Sequence, residues 1–144
     1  MVEVVYPNDA NPMGRLHGGK LVMWMDTAAA ICAQSHAEQL AATVSIDKMV
    51  FKKPAGVGDI VTIKAKMTRA FETSMEIFVY SMARPITGKT TWLINEAYFT
   101  FVALHEDGTP APVPPLQPTT EAEGAAYEQA LLRRNNRKQI LKQS

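Results

Sequence analysis

The stretch Asn11-Pro12-Met13-Gly14-Arg15-Leu16-His17-Gly18-Gly19 introduces an apolar segment that extends from residue 20 to about residue 37. Polar side chains in that segment are too few to form a solvated face, so we expect a helix that is buried on most sides. At 1.5 Å per residue, its roughly 18 residues would be about 27 Å long. A helix of that length spans a small domain, and we expect the rest of the chain to wrap around it.

One carboxylate, that of Asp26, interrupts this apolar helix. An ionised carboxylate without partners is costly to bury, so it is normally paired, hydrogen-bonded or used in chemistry. Gly18 and Gly19 let a ligand approach the first N–H groups of the helix, which have no internal partner and favour an anion or a developing oxyanion. Two helical turns separate Gly18 from Asp26, which is compatible with a substrate carbonyl at the glycines and a water at the carboxylate. A position for Asp26 on an exposed edge, or as an internal capping group, stays open.

The composition of the chain limits which domain organisation, partners and cellular location we expect. A chain of 144 residues with 47% hydrophobic content predicts one compact globular domain. Its formal net charge of +1 provides no basic field, so we expect neither nucleic acid nor a membrane as a partner. The single cysteine, Cys32, lies in the apolar helix, where a buried thiol in an intracellular protein is expected. The first residues carry an acid where a signal peptide carries bases, so we expect no targeting segment and a cytoplasmic location.

The remaining segments read as β-strands followed by a tail helix. Strands are predicted over residues 2–6, 41–54, 60–68, 74–83 and 91–104, with a bulge between Ile46 and Met49. A proline-rich segment then leads to Thr119 and Thr120, two candidate N-caps of a helix whose acidic residues precede its basic ones. We expect its basic end to be solvated. The predicted class is α+β: an antiparallel sheet of five to six strands around a long central helix, with its edges and outer face covered by a second copy.

Five landmarks of the sequence, taken in order, resemble the hotdog-fold acyl-CoA thioesterases. The nearest group is the cytosolic acyl-CoA hydrolases, which include single-domain bacterial enzymes and tandem-domain animal enzymes. The resemblance covers about residues 3–118 and implies a hotdog domain over residues 1–118 and a C-terminal helical tail over residues 119–144. The landmarks are the loop over residues 11–19, the helix with Asp26, and the segments Phe51-Lys52-Lys53-Pro54, Val57-Gly58-Asp59 and Tyr98-Phe99-Thr100-Phe101-Val102.

The resemblance implies hydrolysis of acyl-CoA to a free fatty acid and CoA at a dimer interface, often within a trimer of dimers. In the family, an Asn from the glycine loop of one hotdog and an Asp from the central helix of the other form the site. These residues map onto Asn11 and Asp26, so a homodimer would hold two complete sites. No metal or separate cofactor is implied, because CoA is part of the substrate and product.

We assign the following roles. Asp26 acts as a general base on water or as a nucleophile, and Asn11 orients water or substrate. The backbone N–H groups of Gly18 and Gly19 polarise the carbonyl. His17 is either a second polar group of the site or a turn histidine that bonds the loop backbone.

CoA phosphates need hydroxyl donors and cations. Arg84 and Lys89 flank one turn and are candidates for the site of a neighbouring dimer in a hexamer. Aromatic and methionine side chains, Phe71, Phe78 and Trp24 among them, are candidate walls of the acyl tunnel or ordinary core residues. The candidate CoA contacts are Lys53, Arg69, Thr73, Ser74, Arg84 and Lys89.

Two other functions are compatible with these residues. A hotdog dehydratase would use His17 and Asp26 as an acid–base pair on a hydroxyacyl thioester. A non-catalytic acyl-CoA-binding module would have little reason to keep both Asn11 and Asp26. Because only the hydrolase releases free thiol from acyl-CoA, that product distinguishes the three.

Overall fold

A computed structural model describes residues 1–143. Its strands form a single open antiparallel sheet in the order β1-β3-β4-β5-β2. The predicted α+β class is confirmed, with a five-stranded sheet, one long helix against it and a second helix at the C-terminal end. The elements are β1 (Val2–Val4), a 3₁₀ turn (Pro7–Asp9), α1 (Gly18–Ala37), β2 (Leu40–Phe51), β3 (Ile60–Ala70), β4 (Ser74–Arg84), β5 (Trp92–Leu104) and α2 (Glu121–Gln143).

Helix α1 packs one of its faces against the sheet. Its buried residues recur every three to four positions and are Leu21, Trp24, Met25, Ala28, Ala29, Ala33 and Ala37. Met23 and Ile31, on the other side of the helix, are 52% and 60% exposed. The expected burial on most sides is therefore not reached within one chain, because the sheet contacts a single face of the helix. The second apolar face is left for another molecule.

Strand β2 lies at an edge of the sheet and is irregular. The bulge predicted between Ile46 and Met49 is present as a register shift between Asp47 and Val50, and Lys48 within it has φ of 56°. A second register shift, between Thr43 and Ser45, was not evident from the sequence. Within residues 1–143, β2 pairs along one side, with β5. Its other edge therefore presents unpaired backbone groups.

Helix α2 covers part of the outer sheet face, which is the face opposite α1. Thr120 Oγ1 accepts a hydrogen bond from the Glu123 N–H, as expected of an N-cap. The expectation of a solvated basic end is wrong for Arg133 and Arg137, which form ion pairs with strand residues at 2.7 and 3.1 Å, whereas Lys138 is exposed. The long arginine stems reach polar side chains on the outer face that the local sequence does not reveal. The division into a domain over 1–118 and a tail over 119–144 stays a prediction.

Candidate active site

The carboxylate of Asp26 has one hydrogen-bond partner, on the edge strand. Thr43 Oγ1 donates to Asp26 Oδ1 at 2.6 Å, within the range of charge-assisted O–H···O⁻ bonds. Asp26 is half-buried, and within residues 1–143 its other oxygen, Oδ2, accepts no hydrogen bond. The arrangement fixes the carboxylate and leaves one oxygen available. Thr43 escaped sequence reasoning, because it reaches Asp26 only when β2 folds back beside α1.

The Asn11 side chain organises the loop before α1. Its Oδ1 accepts hydrogen bonds from the N–H groups of Met13 at 3.0 Å and Arg15 at 3.2 Å. Gly14, with φ of 76°, closes this loop through a bond from its N–H to the Asn11 carbonyl. Within the described chain the Asn11 side-chain NH₂ donates to no other group, so it is available to a ligand. No hydrogen bond joins Asn11 to Asp26 inside residues 1–143.

His17 is the N-cap of α1. Its Nδ1 accepts a hydrogen bond from the Gly19 N–H at 3.2 Å. This contact matches the interpretation of His17 as a turn histidine that bonds the loop backbone. It also occupies one of the two glycine N–H groups that we expected at a carbonyl. The Gly18 N–H has no partner among residues 1–143 and remains available.

A pocket of about 240 Å³ lies beside Gly18, under the side chain of Phe51. Three cations line it: Arg15, Lys52 and Lys53. The Lys53 ammonium also sits 4.6 Å from the centroid of the Trp92 ring. Positive side chains next to a free helix N-terminal N–H form an environment suited to an anionic or strongly polarised group.

The candidate CoA contacts fall at two ends of the sheet. Lys53, Arg84 and Lys89 belong to the end near Gly18, whereas Arg69, Thr73 and Ser74 belong to the opposite end. Strands of this length separate the two groups by about 30 Å, at roughly 3.4 Å per residue. One chain therefore does not bring all six residues together.

Two of these candidates have structural partners. Arg69 Nη1 donates to the Tyr127 carbonyl at 3.1 Å, and its guanidinium stacks on the Tyr127 ring, so it anchors α2. Arg84 Nη1 donates to the carbonyls of Pro85 and Gly88, both at 3.3 Å, and closes the β4–β5 turn.

A larger cavity, of about 540 Å³, lies between the outer sheet face and α2. Phe78, Tyr80 and Tyr98 form its floor, and Arg133 at its wall is paired with Glu76. Phe78, like Phe71, which packs against Arg69 and Arg134, is on the face opposite α1 and Asp26. Neither ring therefore reaches the Asp26 side of the sheet in the same chain, and their role as walls of an acyl tunnel stays a prediction.

Within residues 1–143, no group of three or more His, Cys, Asp and Glu side chains is placed to hold a metal ion. Neither α1 nor α2, nor any other helix of that part of the chain, is both long and apolar enough to cross a membrane.

Comparison with known proteins identifies the family. The model of the thioesterase superfamily matches residues 13–80. YkhA of Bacillus subtilis (strain 168), described as an uncharacterised acyl-CoA thioester hydrolase, is 37% identical over 134 residues, which cover 93% of this chain and 78% of that protein. The crystal structure of an apo-hexameric acyl-CoA thioesterase matches with a TM-score of 0.93 and 37% identity, over 98% of this chain and 90% of that one.

A third similar protein is the acyl-CoA hydrolase of Staphylococcus aureus, solved in complex with butyryl-CoA, CoA and CoA disulfide. It matches with a TM-score of 0.88 and 34% identity over 99% of this chain and 89% of that one. Further structures of that enzyme carry alanine in place of an aspartate, a threonine or an asparagine. The spacing of those three positions equals the spacing of Asn11, Asp26 and Thr43. The chain thus belongs to the thioesterase superfamily and, within it, to the hotdog-fold acyl-CoA thioesterases.

Proposed function

We propose that this acyl-CoA thioesterase hydrolyses its substrate at a composite site in a homodimer, with Asp26 as the general base. The observation that carries the proposal is the hydrogen bond from Thr43 to Asp26 Oδ1, which leaves Oδ2 of a half-buried carboxylate free. A free, oriented carboxylate oxygen is what a water molecule needs in order to be deprotonated. The spacing shared with the three altered residues of the S. aureus enzyme supports the same choice.

The chemical step follows from this geometry. Asp26 Oδ2 accepts a proton from water while the water oxygen attacks the thioester carbonyl carbon. The N–H of Gly18 of the partner subunit donates to the oxyanion that develops on the carbonyl oxygen. Collapse of the tetrahedral intermediate breaks the C–S bond, and the proton on Asp26 passes to the departing CoA thiolate. A nucleophilic Asp26, which would form a transient anhydride, is the other route through the same residue.

Distance along α1 favours a site made by two chains. Gly18 and Asp26 of one helix are about 12 Å apart along its axis. An N–H on a carbonyl oxygen and a base on the attacking water need to converge within a few ångströms of the same carbon. We therefore pair Asp26 and Thr43 of one chain with the glycine loop of the other, which includes Asn11 of the partner subunit.

The exposed apolar surface supports the dimer. Met23 and Ile31 on α1 are exposed, and so are Val44, Val50 and Phe51 on β2, the strand with an unpaired edge. Exposed apolar side chains beside an open strand edge favour association with a second copy. The hexameric state of a similar thioesterase supports a further step, a trimer of dimers.

The remaining assignments concern CoA. The cationic pocket beside Gly18 supports Lys53 as a phosphate contact. Arg84 and Lys89, together with Thr73 and Ser74, stay proposed contacts for substrate in a site completed by other subunits. We drop Arg69, because its guanidinium packs on the Tyr127 ring and holds α2, whereas Arg84, within residues 1–143, bonds only the carbonyls of its own turn. The proposed enzyme acts in the cytoplasm and uses neither a metal nor a separate cofactor.

The test is thiol release from acyl-CoA substrates of increasing chain length, with the wild type, Asp26→Asn and Asp26→Ala compared side by side. We expect both variants to lose turnover by about 10²- to 10⁴-fold, the range typical of a positioned general base. Light scattering should show the same oligomer for all three proteins. Turnover of Asp26→Asn within a few fold of the wild type would contradict the assignment. Conversion of a hydroxyacyl-CoA to an enoyl-CoA, with the thioester intact and no thiol released, would point to the dehydratase instead.

A further inference from the structure

We propose that Arg137 of the C-terminal helix is a positioning residue for hydrolysis, because it holds the strand that presents Thr43 to Asp26. The inference rests on the proposed function, since it takes Asp26 as the base and Thr43 as its orienting partner. Arg137 itself contacts neither residue.

Strand β2 needs support from outside its own ladder. Register shifts flank a short segment in which Ser45, Ile46 and Asp47 are the paired residues. Thr43 immediately precedes the first of these shifts, and Lys48, with φ of 56°, lies in the second. Bulges disrupt ladder hydrogen bonds locally and re-aim side chains. Thr43 is the last of four residues that pair in register with β5, so the ladder constrains it from one side, and the interruption directly after it leaves the other side to be held by other contacts.

Arg137 forms hydrogen bonds that hold this short segment. Its Nη1 donates to Asp47 Oδ2 at 3.1 Å and to Thr100 Oγ1 at 3.3 Å. Ser45 Oγ also donates to Asp47 Oδ2 at 3.3 Å, and Ser45 lies opposite Thr100 in the β2–β5 register. One guanidinium thus joins β5 to the piece of β2 that follows Thr43. The clamp acts from the outer face, while Thr43 bonds Asp26 on the α1 side.

Helix α2 has a separate anchor, so Arg137 can be removed without releasing the helix. One turn earlier, Arg133 donates to both carboxylate oxygens of Glu76, at 3.0 and 2.7 Å. Arg69 stacks on the ring of Tyr127 near the start of the helix, at 3.9 Å. Loss of Arg137 should free β2 while α2 stays on the sheet.

Arg137→Ala tests the proposal. We expect kcat for acyl-CoA hydrolysis to fall about 3- to 10-fold with KM changed less than about twofold, which is the scale of coupling through packed elements. The effect stays moderate because a second copy would support β2 along its other edge. Asp47→Asn, which removes the charge on the other side of the clamp, should give a similar loss.

Arg134→Ala is the matched control. Arg134 lies on the same helix and packs on the Phe71 ring at 4.3 Å, away from β2, so its loss should leave kcat unchanged. The decisive readout is a double-mutant cycle with Thr43→Val. Once the Thr43 hydroxyl is absent, Arg137→Ala should lower kcat by less than about twofold, since the clamp then has no catalytic group to place.

Asp26→Ala, measured in parallel, separates the two hypotheses. If Asp26→Ala retains turnover, the proposed function fails whatever Arg137 does. If Asp26→Ala is inactive, two results would overturn the positioning role alone. In the first, the fold losses in kcat caused by Arg137→Ala and Thr43→Val multiply fully in the double variant. In the second, Arg134→Ala and Arg137→Ala lose the same activity.

Discussion

Arg133 provides the sharpest test of how α2 is attached to the sheet. Its guanidinium donates to both oxygens of Glu76, at 3.0 and 2.7 Å, and stacks on Tyr98 at 3.7 Å. The Glu76 side chain is 4% exposed, so Arg133→Ala leaves a carboxylate that water reaches poorly. Thr68 Oγ1 still donates to that carboxylate at 2.6 Å.

The magnitude follows from this environment. Removing one partner of a buried ion pair costs about 3–5 kcal/mol, because the remaining charge is uncompensated. The Thr68 hydrogen bond places the cost at the lower end, and the lost cation–π contact adds about 0.5–1 kcal/mol. We therefore expect Arg133→Ala to lower the free energy of unfolding by about 3–4 kcal/mol, with Tm lower by about 10 °C for a chain of this length. Burial would lower the pKa of Arg133, but the hydrogen bonds and charge of Glu76 outweigh it and raise that pKa, so Arg133 stays charged during the assay.

The assay is urea unfolding at one fixed protein concentration, since association of the folded state also adds to apparent stability. Arg134→Ala, on the neighbouring position of α2, should cost less than about 1 kcal/mol because it loses a cation–π contact and leaves no buried carboxylate unpaired. Adding Glu76→Gln to Arg133→Ala should restore about half of the loss, because the neutral amide needs no counter-charge. A cost for Arg133→Ala below about 1 kcal/mol, or no recovery in the double variant, would refute the reasoning.

Three further predictions concern local chemistry. Hydrogen bonds from the Thr119 N–H and hydroxyl, together with Lys66, lower the pKa of Glu123 below 4.5. The stabilisation of α2 by ionised Glu123 is therefore present above pH 4.5 and is lost as the pH falls through the folded-state pKa. Hydrogen-exchange protection in the first turn of α2 should fall in acid for the wild type and should not fall in Glu123→Gln. Burial raises the pKa of the Cys32 thiol, so iodoacetamide at pH 8 should alkylate it about tenfold more slowly than free cysteine, and an equal rate would contradict this. Gly14→Ala should cost about 1–2 kcal/mol, because φ is 76° there, whereas Gly124→Ala in open space on α2 should be neutral or stabilising in the same unfolding assay.

Much of the candidate site was predictable because local chemistry specifies it. A glycine-rich loop ahead of an apolar helix points to His17 and Gly18, and a lone carboxylate in that helix points to Asp26. Asn11 came from the family resemblance. Thr43 was not predictable, because its hydroxyl becomes relevant only through the way β2 returns past α1. Whether these groups act together as proposed stays a prediction for the experiments above.

The two helices show the same contrast. Apolar periodicity predicted α1, and its excess of apolar side chains indicated more covering than one sheet provides. The basic residues of α2 looked like a solvated helix end, yet the structure pairs Arg133 with Glu76 and Arg137 with Asp47. A charge pattern within one helix cannot report the polar groups that distant strands will place opposite it.

The sequence by itself determined the elements, their order, the α+β class and the residues with unusual chemistry, because hydrophobic period, turn residues and isolated charges act over a few neighbouring positions. Only the tertiary structure decided the partner of Asp26, the donor left free at Gly18, the split of the CoA candidates between two sheet ends and the docking of α2. Those features depend on strand register and on contacts between residues far apart in the chain. Register and long-range contacts are set by the packing of the whole sheet, which local sequence does not specify.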